Sequence, residues 1–166
     1  MARESIPAPE HASRIREDRA IFRALRIIEA RAIARGELVS NPEAAAALFR
    51  LSLAEEAREH FEVAFLDAGH CLIARERLFS GTIDGASVWA RIVVQRALML
   101  NAAAVLCAHN HPSGNPSPSK ADHLLTDRLH DALALVDIRL LDHFVITRHS
   151  AVSVLASGYP DKEKTA

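Results

Sequence analysis

The sequence predicts a mixed α/β fold in which helices cover a sheet of short strands. Two kinds of segment alternate along the chain. In one kind the apolar residues recur every three or four positions, which indicates helices, and in the other short runs of apolar residues indicate strands. Their order is two helices, three strands, a helix, a strand, a helix and two or three further strands. This order is typical of a sheet whose faces are packed against helices.

Helical spacing dominates the first part of the chain. Apolar residues within 15–35 recur at three and four positions with Arg, Glu and Asp between them, and Gly36 is suited to end the helix. A second helix is predicted to begin at Pro42 with Asn41 as its cap and to end between 53 and 57. The charged side of the first helix predicts a solvated face. A homodimer contact through its Ile, Leu and Phe stripe is the alternative.

The period changes after residue 60. Two apolar runs, 61–66 and 71–74, flank a turn that contains Gly69 and predict a β-hairpin, and 78–83 predicts a third strand. Residues 87–100 return to helical spacing. The remaining elements are a buried strand over 103–108, a polar loop over 109–117, a helix over 119–135, and strands over 138–141, 144–147 and 152–155.

Length and composition bound the class of protein. The chain has 166 residues, which suffices for one domain of about 100–150 residues and an extension. We expect a helical extension over 1–39, the α/β domain over 40–156 and a polar tail over 157–166. With 20 Lys and Arg against 21 Asp and Glu, the net charge of -1 argues against a protein that binds nucleic acid through a basic surface.

Targeting signals and cysteines point to the cytoplasm. No apolar run approaches the roughly 20 residues that cross a bilayer, so we expect no membrane association. The N-terminus lacks the basic and then apolar order of a secretory signal. Cys71 and Cys107 lie among aliphatic residues, which favours two buried thiols over a disulfide.

Two of the nine histidines carry most of the functional information. His109 and His111 stand two positions apart where the buried strand of 103–108 ends. In extended chain such residues project to one side about 6.6–6.8 Å apart, and their imidazoles can converge on one ion. Asp122 follows on the next helix. Three protein ligands leave one tetrahedral position open, which is typical of a catalytic zinc site.

The loop between these residues is suited to a fixed turn. Pro112, Pro116 and Pro118 restrict the backbone, and Gly114 permits a reversal toward the histidines. The competing interpretation is purely structural, because Ser119-x-x-Asp122 is a variant of the capping box that stabilises a helix start without any metal.

The motif resembles that of a known family. His109-x-His111-Pro112 followed by Ser119-x-x-Asp122 matches the JAMM (MPN+) metalloprotease motif, and the string His-Asn-His-Pro-Ser-Gly-Asn-Pro-Ser-Pro-Ser is similar to that of the RadC family. Leu78-Phe79-Ser80-Gly81-Thr82, Asn101-Ala102-Ala103-Ala104 and Leu141-Asp142-His143-Phe144 resemble further RadC segments. The resemblance covers roughly residues 40–156.

The resemblance implies both a fold and a chemistry. The fold would be a JAB/MPN domain, a cytidine-deaminase-like three-layer α/β/α arrangement. One zinc ion per chain would be bound by His109, His111 and Asp122 and would activate a water, and Ser119 would match the family serine that hydrogen-bonds the oxyanion. The implied activity is that of a zinc metallopeptidase or isopeptidase, with a peptide or protein as the substrate.

JAMM enzymes also use an upstream glutamate as general base, for which Glu59, Glu62 and Glu76 are the candidates. In JAMM domains this residue opens the first core strand after a helix. That position favours Glu59, with Glu76 second and Glu62 expected to face solvent from the strand.

Two departures from the RadC pattern bear on function. The usual His-Pro-Arg-Glu at one helix start is replaced by Trp89-Ala90-Arg91-Ile92, and residues 1–39 predict one helix without a helix-hairpin-helix pair. Binding of DNA is therefore not expected. The alternatives to a hydrolase are a RadC-like accessory of DNA repair and a non-catalytic JAB-fold interaction module. The complete ligand set disfavours the module.

Overall fold

The computed structural model describes residues 16–17, 19–21, 23–24, 26–27, 30–31, 39, 41–81 and 88–158. Every described residue between 16 and 31 is helical, in agreement with the predicted first helix. Ile21 from its apolar stripe is exposed, and so is Ile27. The predicted end of this helix at Gly36 and most of the predicted polar tail lie outside the described residues. The boundaries at 39/40 and 156/157 stay predictions.

The next helix, α1 (Pro42–Leu53), begins as predicted. The side chain of Asn41 accepts a hydrogen bond from Ala44 N at 2.8 Å, and Pro42 occupies the first turn, where its missing N–H removes no helical hydrogen bond. Ala45, Phe49 and Leu53 are buried. One apolar side of α1 therefore packs on the domain.

Eight further elements follow, five of them strands. In chain order they are β1 (His60–Leu66), β2 (Leu72–Ser80), α2 (Ala90–Met99), β3 (Ala104–Asn110), α3 (Lys120–Ala134), β4 (Arg139–Ile146), β5 (Ala151–Ser153) and the short α4 (Val154–Ser157). The strands form one sheet in the order β2-β1-β3-β4-β5. Strands β3 and β4 are parallel and the other pairs are antiparallel, so the sheet is mixed.

Helices cover both faces of this sheet, and β3 lies in its centre with all seven residues buried. On one face, Val105 and Cys107 pack in a core cluster that includes residues of α2 and α3. On the other face, Leu106 and Ala108 pack in a second cluster with α1. The side chains of a strand alternate between faces, so neighbouring residues of β3 serve different layers. The predicted mixed α/β fold is confirmed.

Several strand boundaries differ from those predicted. The predicted runs 71–74 and 78–83 overlap with the single strand β2, to which 72–74 and 78–80 belong, while 82–83 lie outside the described residues. Likewise 139–141 and 144–146 belong to the single strand β4. Polar residues interrupt both apolar patterns without interrupting the strands, because their side chains find partners: Glu76 of β2 binds Arg96, and Asp142 of β4 accepts a hydrogen bond from Ser153. The predicted strand over 152–155 is shorter, since α4 begins at Val154.

The two cysteines are free, as expected, but only one is buried. Cys107 lies fully buried in the core, where burial raises the pKa of its thiol, whereas Cys71 is half-buried beside the turn that precedes β2. The prediction of a buried Cys71 was wrong because the residue stands at the end of an edge strand. Among the described helices, none has the length and apolar character needed to cross a membrane.

Candidate metal centre

The two motif histidines lie where β3 meets the following loop. Strand β3 extends to Asn110, so His109 belongs to the strand and not to the predicted loop. It pairs with Phe61 of β1 and Val145 of β4, and it is buried between them. His111 follows the strand, and its backbone N–H donates to Ile146 O at 2.9 Å. The neighbouring strands thus hold both histidines.

Asp122 reaches the same place from the first turn of α3. Ser119 caps this helix: its Oγ accepts from Asp122 N at 3.2 Å, and Asp122 Oδ2 accepts from the backbone N and the Oγ of Ser119, both at 2.7 Å. Gly114 adopts a φ of 79° in the loop before the helix, and its N–H donates to His111 O. The capping box therefore forms, and it also orients the Asp122 carboxylate.

The three side chains converge. His109 Nε2 lies 3.0 Å from His111 Nε2 and 3.1 Å from Asp122 Oδ1, and His111 Nε2 lies 3.6 Å from Asp122 Oδ2. A tetrahedral zinc ion with bonds of about 2.0–2.1 Å requires donor atoms roughly 3.4 Å apart. One donor atom from each residue lies within 4.8 Å of the other two. The donor atoms are therefore close to the separation that such an ion needs.

The charges of these groups are strongly coupled. Burial by itself would raise the pKa of Asp122, but the adjacent rings of His109 and His111 outweigh it and hold the pKa well below its usual range. The Asp122 carboxylate in turn raises the pKa of His111 against the opposing effect of burial, with smaller contributions from the Asn115 carbonyl and the charge of Glu59. The centre thus keeps a negative carboxylate that attracts a cation.

Two observations indicate that a metal fits this centre. Asp122 Oδ1 is buried and has no hydrogen-bond partner, although it faces His109 Nε2. His111 Nδ1 lies 2.8 Å from Asn115 O, a carbonyl that can only accept, so the ring carries its proton there and a neutral ring directs the Nε2 lone pair inward. Imidazole nitrogen and carboxylate oxygen are common ligands of zinc, and a cation would satisfy both atoms.

Comparisons with known proteins show the family of the chain. The profile of the RadC-like JAB domain family matches residues 39–159, most of the chain. The chain belongs to this family. A UPF0758 protein of Xanthomonas oryzae pv. oryzae is 56% identical over 128 residues, 77% of this chain and 57% of the relative. A UPF0758 protein of Methylibium petroleiphilum is 52% identical over 126 residues, 76% of this chain and 57% of the relative. The RadC-like chain thus spans little more than half the length of these curated relatives.

Behind the ligands, two buried side chains link His109 to the backbone of Asp122. His109 Nδ1 lies 2.8 Å from His143 Nε2, and His143 Nδ1 lies 2.7 Å from Thr126 Oγ1. Thr126 Oγ1 donates in turn to Asp122 O at 2.6 Å. The ring of Phe61 packs edge-on against His143, with the ring centroids 5.4 Å apart. Full burial, followed by the charge of His109, lowers the pKa of His143 well below its ordinary value.

On the opposite face of β3, the buried side chain of Asn110 binds the segment that leads into β1. Its Oδ1 accepts from His60 N at 2.8 Å, and its Nδ2 donates to Arg58 O at 2.9 Å and to Glu56 O at 3.2 Å. Glu59 lies within this segment, and its own carbonyl accepts from Gly81 N at 2.9 Å. The backbone around Glu59 is therefore fixed from both sides.

The three candidate glutamates have different surroundings in this RadC-like domain. Glu59 lines a cavity of about 520 Å³ together with Pro112 and Ser113, next to the metal ligands. Glu76 forms an ion pair with Arg96 of α2 through both carboxylate oxygens. Of these two glutamates, Glu59 is thus the one that opens onto the loop carrying His111.

The prediction that Glu62 faces solvent was wrong. The residue is buried rather than solvent-facing: its carboxylate lies 3.1 Å from Arg77 Nε and 3.4 Å from Arg75 Nη1, and it accepts from Ser52 Oγ at 2.7 Å. The alternation of β1 directs Glu62 toward α1, where the two arginines of β2 compensate its charge. The strand pattern alone could not show these partners, because Ser52 belongs to another element.

The sequence motif predicts the three candidate ligands but not the residues that surround them. Thr126 stands four residues after Asp122 on α3, a spacing that places both on one side of a helix and that could have signalled it. Asn110 stands between the two histidines, and no local pattern predicts its partners. His143 lies behind the three converging side chains, in contact with His109 and Thr126, and its spacing in the sequence does not predict this position.

Proposed function

We propose that this RadC-like domain is a zinc-dependent hydrolase of the JAMM type that cleaves a peptide or isopeptide bond. The observation that carries the proposal is the buried convergence of His109, His111 and Asp122, with an unpartnered carboxylate oxygen at its centre. These three residues would hold one zinc ion per chain. A zinc ion held there would act as a Lewis acid and would lower the pKa of a water.

A glutamate of the domain would transfer the protons of the reaction. Glu59 would take a proton from the attacking water and return it to the leaving amine, because it lines the cavity that reaches the loop after β3. The hydrogen bonds of Asn110 on both sides of Glu59 would hold it in place for this role. Glu76 is a weaker candidate, since both of its carboxylate oxygens bind Arg96.

Ser119 has a narrower role in this geometry than the family resemblance implies. Its hydroxyl carries one proton, and that proton is donated to Asp122 Oδ2 at 2.7 Å. Ser119 would therefore orient the carboxylate ligand. Stabilisation of a substrate oxyanion by Ser119 stays a prediction, and it requires the hydroxyl to turn away from Asp122 when substrate binds.

The lining of the cavity favours a polypeptide substrate. Pro112, Ser113 and Gly81 line it together with the charged Arg58 and Glu59, so it has both apolar and charged walls. An extended polypeptide offers matching hydrogen-bonding groups and side chains. We expect a peptide or protein substrate rather than nucleic acid, because the chain has no excess of positive charge.

A combined metal and cleavage experiment tests the proposal. The purified protein should contain about one zinc per chain, and the double variant His109→Ala/His111→Ala should contain none. A peptide library should be cleaved by the wild type and spared when a chelator is present. Stoichiometric zinc in the double variant would refute the ligand assignment.

The general base is tested with two matched variants. Glu59→Gln should retain zinc and lose at least about 100-fold in cleavage rate, the usual contribution of such a group. Glu76→Gln should stay within severalfold of the wild type. The reverse result would transfer the role to Glu76, and full activity in both variants would exclude a glutamate base at either position.

A further inference from the structure

Two buried side chains lie behind the proposed metal ligands. His143 and Thr126 are buried and connect the outer nitrogen of His109 to the backbone carbonyl of Asp122. Neither residue faces the cavity that Glu59 lines. These hydrogen bonds begin at His109 and end at Asp122, both of them proposed metal ligands. A substitution of His143 or Thr126 would therefore affect the metal centre and would not act on the substrate directly.

The direction of these hydrogen bonds follows from their end point. A backbone carbonyl can only accept, and the 2.6 Å separation of Thr126 Oγ1 from Asp122 O is a hydrogen-bond distance, so the hydroxyl proton lies between them. The hydroxyl has no second proton to donate. Toward His143 it therefore accepts, and the donor is the Nδ1–H of that ring.

The Nδ1–H of His143 also determines the role of the other ring nitrogen. A neutral imidazole has one N–H and one lone pair, so His143 Nε2 accepts a hydrogen bond. The donor at 2.8 Å is then His109 Nδ1–H. A neutral His109 that carries its proton on Nδ1 has its lone pair on Nε2, the atom that faces His111 and Asp122.

We infer that His143 and Thr126 are positioning residues that hold His109 in the tautomer able to bind the metal. The opposite tautomer would direct an N–H into the centre, where it would occupy the place of the ion. Residues that hold the outer N–H of a histidine ligand typically change metal affinity about 10–100-fold when they are replaced. This inference rests on the proposed metal site and extends it to residues that contact no ion.

Zinc affinity, measured by competition with a chromophoric chelator, provides the first test. Thr126→Val keeps the shape of the side chain but removes the acceptor, and His143→Phe removes the ring nitrogens. Each should weaken zinc binding about 10–100-fold. Thr126→Ser keeps the hydroxyl and should bind within severalfold of the wild type, and so should the exposed control His130→Phe. Unfolding curves of the metal-free variants separate a folding defect from weak binding.

Long-range ¹H–¹⁵N correlation spectra provide a readout that packing alone would not change. In the metal-free wild type, His143 and His109 should both carry the proton on Nδ1. A proton on His143 Nε2, or unchanged zinc affinity in Thr126→Val, would overturn the inference while leaving the ligand assignment intact. A wild type that binds no zinc would instead refute the proposed function, and the spectra would still decide the direction of the hydrogen bonds.

Discussion

The carboxamide oxygen of Asn110 accepts a hydrogen bond from the backbone N–H of His60 at 2.8 Å, across 50 positions of sequence. Its amide group donates to the carbonyls of Glu56 and Arg58. The residue between His109 and His111 thus fixes the backbone beside Glu59. One short stretch at the end of β3 therefore carries the buried His109 on one face of the sheet and Asn110, which holds the segment of the candidate base, on the other.

We expect Asn110→Ala to destabilise the protein by about 2–4 kcal/mol, because it leaves three partly buried backbone groups without their partner. Urea unfolding of the metal-free protein measures this difference. The matched control is Asn115→Ala, which removes the same group from an exposed turn and should cost less than about 1 kcal/mol. Equal losses of unfolding free energy in the two variants would show that the amide of Asn110 stabilises the protein no more than an exposed amide does.

The buried carboxylate of Glu62 gives a second expectation. Glu62→Ala leaves Arg75 and Arg77 without their buried counter-charge and should cost about 3–5 kcal/mol. Glu56, which is more exposed and also pairs with Arg77, provides the comparison: Glu56→Ala should cost no more than about 1 kcal/mol. Chemical unfolding of both variants decides the point. A small effect at Glu62 would mean that its charge is already solvated.

Asp142 should make stability depend on pH. Burial raises its pKa, and hydrogen bonds from Ser153 and from the backbone of His143 and Leu155 oppose the rise only in part. The folded protein therefore holds this proton more tightly than the unfolded chain, and stability falls as the pH rises through the raised pKa.

The variant Asp142→Asn lacks this titration. Its free energy of unfolding minus that of the wild type should increase as the pH rises from about 3.8, the ordinary pKa, through the raised pKa, because only the wild type loses stability there. Paired denaturant curves at several pH values measure the difference. A difference that is constant with pH, or that changes in the opposite direction, would contradict the assignment.

The two thiols should react at different rates. Cys71 is half-buried and Cys107 is fully buried in the core. A thiol reagent should therefore modify one cysteine of the native protein readily and the second only after unfolding. The variant Cys71→Ala should abolish the fast phase, and Cys107→Ala should abolish the slow one. Two equal native rates would contradict the burial of Cys107.

The sequence predicted the structure best where a local pattern of residues is compatible with only one structural interpretation. The spacing of His109, His111 and Asp122 predicted their convergence, and Asn41 and Pro42 predicted the start of α1. The strand boundaries were less accurate because Glu76 and Asp142 place polar groups inside strands. Their partners lie on other elements, so the local pattern of apolar residues cannot predict these contacts.

The surroundings of the site could not be predicted for the same reason. Glu62 has its partners on α1 and β2, and Thr126 meets His143 only when α3 packs on β4. Such contacts depend on the register of the sheet. The motif predicts the three candidate ligands, whereas the residues that contact them are seen only in the tertiary structure.

The parallel pairing of β3 with β4 has a consequence for folding. Parallel neighbours need a crossover connection, and here that connection is α3, which itself carries Asp122 and Thr126. Closing this loop requires loss of chain entropy before the strand contacts compensate it. The convergence of His109, His111 and Asp122 therefore depends on the whole crossover, and we expect a peptide limited to residues 109–122 to lack it.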